Sequence, residues 1–127
     1  MKKAYLAGGM RGDVSRQIQE TCGALLKFLD PKSWEQEFPS PSQYTARDLA
    51  AIQEADYVIA FMGPDNPSGY GMSLEVGYAH ALKKPIIFLD LLGNDWRSKY
   101  FDMVRQVAEL RAQSVDDLRN LITAFYA

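Results

Sequence analysis

Tyr57-Val58-Ile59-Ala60-Phe61-Met62 is an almost wholly apolar run, and Pro85-Ile86-Ile87-Phe88-Leu89-Asp90 repeats the pattern further along the chain. A strand with one wet face alternates polar and apolar residues, so unbroken runs of this kind fit strands covered on both faces. Helical patterns lie between and around them, which predicts right-handed βαβ crossovers and a parallel sheet with helices on each side. The 127 residues supply one ordinary core, so a single domain over residues 1–127 is expected.

The other elements are read from spacing and breakers. Lys3 to Ala7 is a short strand that ends at Gly8-Gly9-Met10-Arg11-Gly12. Val14, Ile18, Leu25, Leu26 and Leu29 recur near helical spacing and predict a helix from about 13 to 30, capped by Asp13 and stopped at Asp30-Pro31. Ser33 to Phe38 is a weakly signalled second strand, and Pro39-Ser40-Pro41-Ser42 reads as a loop. Thr45-Ala46-Arg47-Asp48 has the form of a capping box, opening a helix that runs to about Ala55. A glycine-rich loop, Gly63 to Gly71, leads into a helix that ends near Lys83-Lys84, a pair suited to the dipole there. Helical patterns at 98–107 and 114–127 flank a short strand near Leu110.

Composition excludes several classes. No apolar run approaches a membrane span, and the short apolar part of the basic N-terminus falls below a signal sequence. A net charge of −2 without a lysine or arginine cluster argues against polymeric nucleic acid. One cysteine, Cys22, and one histidine, His80, leave neither an internal disulfide nor a His/Cys metal cage, and a reducing cytoplasm is the natural setting.

In a parallel sheet, the loops leaving the carboxyl ends of the strands share one rim, where ligands bind. Glu75 falls in the expected opening turn of the helix after the glycine loop, where the dipole favours an ionised acid. Asp48 comes from another segment of the same rim. Two carboxylates facing one cleft suit cleavage at an acetal-like carbon, one attacking while the other moves protons. Asp48 at the third helical position is equally explained as a capping residue, and Glu75 has a similar structural excuse. The Gly8–Gly12 loop has neither dinucleotide nor P-loop spacing, and a capping Asp13 would occupy the N–H groups a phosphate needs. Arg11 is either an anion contact or solvated surface. His80, five residues past Glu75, reads as packing or surface, while Met10, Met62 and Met72 read as core or pocket filler.

Three blocks carry a family resemblance: Ala4 to Gly12, Arg47 to Ala60, and Gly71 to Ala79. In this order they resemble the nucleoside 2-deoxyribosyltransferase superfamily, which also includes the 2′-deoxynucleoside 5′-monophosphate N-glycosidases. The resemblance implies a flavodoxin-like three-layer sandwich with about five parallel strands, and double displacement at the anomeric carbon of 2-deoxyribose. Glu75 matches the nucleophile, Asp48 the acid that contacts sugar or base, and Tyr5 the tyrosine that orients the nucleophile. Gly8, Gly9, Met10, Arg11, Gly71 and Met72 fall in the substrate-contacting blocks. No cofactor or metal is implied; the partners are a deoxynucleoside or deoxynucleotide and a free nucleobase.

The chain departs from the family pattern at two places. Gly69 and Tyr70 stand where many members have an acid or serine, leaving Asp65 and Ser68 as substitutes. Phe101-Asp102-Met103 replaces an Asn-x-Met or Ser-x-Met element that reaches a neighbouring subunit, so only Met103 survives; sharing that element requires a homo-oligomer, at least a dimer. Arg11 argues for a 5′-phosphate and Asp102 against it. The reading favours nucleoside transfer, with monophosphate hydrolysis and a non-catalytic nucleotide-binding module as alternatives.

Overall fold

The computed structural model describes residues 1–126 and shows five parallel strands in the order β2-β1-β3-β4-β5. They are β1 (Lys3–Ala7), β2 (Lys27–Leu29), β3 (Tyr57–Met62), β4 (Ile86–Asp90) and β5 (Leu110–Ala112). The helices are α1 (Val14–Cys22), α2 (Pro41–Glu54), α3 (Tyr70–Ala81), α4 (Asp102–Val107) and α5 (Val115–Phe125). This is the expected α/β sandwich with the flavodoxin-like strand order. Among the described residues no helix is long and apolar enough to cross a membrane.

Side-chain alternation along the strands divides the core in two. Tyr5, Val58, Met62 and Phe88 face one side, where Ala51, Ile52, Met72 and Val76 cover them from α2 and α3. Leu6, Tyr57, Ile59 and Leu89 face the other, against Ile18 and Cys22 of α1 and Leu118 and Ile122 of α5. Every residue of β3 is buried, as its unbroken apolar run requires.

Several expected boundaries move. The helix expected over 13–30 ends at Cys22, and the chain turns through Gly23 into β2. The apparent helical stripe is two patterns joined: Val14, Ile18 and Cys22 follow α1, whereas Leu29 pairs with Tyr5 across the sheet. The strand expected at 33–38 is a 3₁₀ turn at Pro31–Ser33 followed by a tight turn, in which Glu37 and Phe38 donate backbone N–H groups to the Trp34 carbonyl at 3.1 and 3.2 Å. Helix α2 begins earlier than Thr45. Ser40 caps it in a reciprocal box with Gln43, and Pro41 fills the first helical position, where its missing N–H costs nothing. The Thr45–Asp48 box therefore lies inside a helix, which removes capping as an account of Asp48.

Asp13 sits at the α1 N-cap, but its carboxylate accepts from the Arg16 and Gln17 side chains rather than from backbone. Lys84 has a role beyond its own helix: Nζ donates to the carbonyls of Gln53 and Ala55 at 2.9 and 2.8 Å, tying down the end of α2. The pattern at 98–107 opens with a 3₁₀ turn before α4. The helix expected over 114–127 is α5, capped by Ser114, and Ala127 lies outside the described residues.

Candidate active site

Three strand ends build the site, beginning with β1. Alternation turns Tyr5 toward the α2/α3 face, where it is fully buried and its hydroxyl donates to Glu75 Oε2. Gly8 follows at the strand's end, packed so tightly on Phe61 that an added Cβ would lie 2.3 Å from the ring. Only glycine lets the backbone pass there.

The second contribution comes after β3. Asn66 Oδ1 accepts from the backbone N–H groups of Ser68 and Gly69 at 3.3 and 3.2 Å, closing the loop that aims α3. Gly69, with φ of 75°, takes the left-handed conformation that starts the helix. Because α3 begins at Tyr70, Glu75 lies in its second turn and not its opening one. The free N–H groups and their field belong to the first turn, so the expectation that the dipole keeps Glu75 ionised is overturned. Burial dominates and pushes its pKa up to about 7; the Tyr5 hydroxyl opposes this, and the charge of Asp48 adds to it. The phenol of Tyr5, raised far above its ordinary range by burial and by Glu75, keeps its proton.

The third contribution is the segment from Pro31 through α2. Asp48 is half-buried on α2, and its Oδ1 accepts a 2.8 Å bond from Trp34 Nε1. Burial raises its pKa, opposed by that bond and by the Arg47 charge. Asp48 and Glu75 line one cavity of about 570 Å³, with Gly8, Met10, Gly71 and Met72. The structure thus brings both acids to one pocket, close enough for the charge of one to raise the proton affinity of the other.

The remaining expected contacts lie elsewhere. Gly9 backs onto the Asn66 side chain, 3.1 Å from where its Cβ would be. Arg11, Asp65 and Ser68 are exposed outside the cavity lining, and Met103 is 83% exposed on α4. An apolar wall of Pro31, Trp34, Phe38, Tyr44 and Leu49 was missed in the sequence. Its signal is the Trp34/Phe38 spacing of four, which the expected strand at 33–38 concealed.

A parallel sheet with a cavity holding both acids at its carboxyl rim places the chain in the class of open α/β proteins, whose ligand sites lie at the strand ends. The chain matches the family model described as nucleoside 2-deoxyribosyltransferase over residues 4–106, and it belongs to that family. A solved 2-deoxyribosyltransferase from Bacillus psychrosaccharolyticus is similar at 21% identity and TM-score 0.73, over 93% of this chain and 90% of that one. The CMP N-glycosidase of Clostridium botulinum is similar at 22% identity and TM-score 0.65, over 98% and 100% of the two chains. A 2-desoxiribosyltransferase from Leishmania mexicana aligns over the full length of both chains at 16% identity and TM-score 0.73. No curated protein gives a significant match. At these identities the structural likeness establishes the fold, while family membership places the chain among enzymes acting on N-glycosidic bonds.

Proposed function

We propose that the protein cleaves the N-glycosidic bond of 2′-deoxynucleosides and transfers the deoxyribosyl group to a second base through Glu75. The observation that carries this reading is the buried Tyr5–Glu75 hydrogen bond at a cavity shared with Asp48. A carboxylate oxygen of Glu75 attacks C1′ while the C1′–N bond breaks, and the departing base takes its electron pair and a proton from Asp48. A deoxyribosyl ester of Glu75 results. A nitrogen of the incoming base then attacks C1′, the ester C–O bond breaks, and the proton lost by that base returns to Asp48.

The two acids suit this division of labour as a pair. Between their two ionisations the pair holds one proton, and the productive form is the one with charge on the nucleophile and that proton on the acid. Tyr5 supports that form because its hydroxyl donates to the ionised carboxylate. The cavity lining holds three acids, Glu35, Asp48 and Glu75, and neither lysine nor arginine. The charged side chains a phosphate would meet there are all acidic, so an unphosphorylated nucleoside is the favoured substrate. Arg11, exposed outside the lining, keeps the 5′-monophosphate N-glycosidase as the second reading. On this reading the protein works as a homo-oligomer of at least two subunits, a role for Met103 supported by its exposure on α4.

Incubating the protein with each deoxynucleoside and each 5′-monophosphate, with and without a free acceptor base, tests the proposal. A new deoxynucleoside formed only with acceptor present is expected. Free base released from a monophosphate without acceptor would select the hydrolase, and binding without turnover would reject both.

A further inference from the structure

We infer that Trp34 is the positioning residue of the site: its indole N–H fixes which oxygen of Asp48 carries the transferred proton. The inference rests on Asp48 acting as the acid of the proposed reaction. Trp34 is 6% exposed, packed in the core beneath the cavity, so its ring cannot swing away without opening that core. One polar atom of the ring, Nε1, meets Asp48 Oδ1 at 2.8 Å. An indole N–H only donates, so Oδ1 accepts at every pH, and a proton on the carboxyl is favoured on Oδ2, which leaves the better-accepting carbonyl oxygen to the indole. Oδ2 receives no hydrogen bond among the described residues, which leaves it for a substrate in the cavity.

Arg47 strengthens the arrangement. Its guanidinium carbon lies 4.0 Å from the centre of the Trp34 ring, over its face. A cation there draws electron density from the indole and makes its N–H a better donor. Because Arg47 and Asp48 are consecutive on α2, one helical segment grips the ring from its face and from its edge.

The chain has two tryptophans, and the second, Trp96, is 73% exposed, which supplies an internal control. In the unaltered protein, the Nε1–H resonance of Trp34 should move with the titration of the Asp48 carboxyl, followed by carbon-13 labelling, while that of Trp96 stays still. Trp34→Phe keeps the ring under Arg47 and removes the donor. Its Asp48 midpoint should move upward, carrying the alkaline limb of the kcat profile with it. Its kcat should fall about tenfold or more while KM moves less than about threefold. A Trp34 resonance indifferent to Asp48 ionisation, or an unmoved Asp48 midpoint and limb in Trp34→Phe, overturns the inference. If the titrations couple but no deoxynucleoside is turned over, the pairing stands as geometry and the glycosyl-transfer reading fails instead.

Discussion

Two buried tyrosines on neighbouring strands have opposite fates. In the β1/β3 register Ala4 pairs with Tyr57 and Tyr5 with Val58, so the rings lie one residue apart and point to opposite faces of the sheet. Tyr5 is fully buried and donates to Glu75. Tyr57 is 1% exposed, stacks on Tyr126 with ring centres 4.8 Å apart, and its hydroxyl has no hydrogen-bond partner among the described residues. The same side chain meets an acid on one face and only packing on the other. What separates them is the rim acid above Tyr5, so the comparison breaks first at Glu75.

Removing Glu75 should have the largest effect. Glu75→Ala is expected to lower glycosyl transfer by about four orders of magnitude or more while the protein stays folded, as measured by product formation beside circular dichroism. Glu75→Gln adds a stability test. Burial raises the folded-state pKa from 4.5 to about 7. Below the lower value the side chain is neutral in both folded and unfolded states; between the two, the unfolded chain loses its proton first and wild-type stability falls as pH rises. The neutral glutamine escapes that loss. Its advantage in urea unfolding should therefore grow between pH 5 and pH 8, by on the order of 2–3 kcal/mol. An advantage independent of pH would show that Glu75 titrates as an ordinary surface acid.

Asp48 sharpens the comparison from the side of the proton. Asp48→Asn keeps an acceptor for the Trp34 N–H but cannot deliver a proton, and kcat should fall by about 10²–10⁴-fold. A leaving group that needs no proton, such as nitrophenolate on the same sugar, should recover most of the loss in that variant. Equal losses with both substrates would mean that Asp48 binds rather than donates.

Tyr5→Phe comes next in size. The hydroxyl is the one interaction that opposes the raised proton affinity of Glu75, so its removal should move the acidic limb of the pH–rate profile to higher pH. At pH 6 the loss in kcat should be about 10²-fold, shrinking as pH rises. A loss of the same size at every pH would assign Tyr5 to packing, as for Tyr57.

The sequence shows the strands buried on both faces, because unbroken runs such as Tyr57–Met62 have few other uses. It hides β2, whose three residues are too few to set a period and whose Leu29 also continues the apolar spacing of α1. It misdirects at Pro39-Ser40-Pro41-Ser42, where residues that commonly break structure instead cap a helix and fill its first position. The Thr45–Asp48 pattern shows the converse: a correct local signature for a helix start, overridden once Ser40 offers a better one upstream. Glu75 and Asp48 were legible as a pair because rim logic needs only strand order. The wall of Trp34 and Phe38 was not, since it depends on the turn that folds those residues back over the sheet. The proton affinity of Glu75 is hidden for a related reason: a shift of a few residues in the helix start takes it out of the dipole's reach, where burial decides.

The smallest effect lies on the opposite face and should carry the opposite sign. Tyr57→Phe removes a hydroxyl that gave up water and gained no partner, a desolvation cost of about 1–3 kcal/mol for such a group. The ring, its stacking on Tyr126 and its place in the β3 ladder remain, and the space left is about one hydroxyl, too small to cancel the gain. Net stabilisation of about 1 kcal/mol is expected, seen as a Tm increase of roughly 2–6 °C with transfer activity unchanged. The same substitution one residue away, Tyr5→Phe, should cost activity and give no such increase near neutral pH, because it strips Glu75 of its donor. If Tyr57→Phe instead destabilised the protein, its hydroxyl would have a partner, and the contrast between the faces would reduce to which tyrosine has the acid above it.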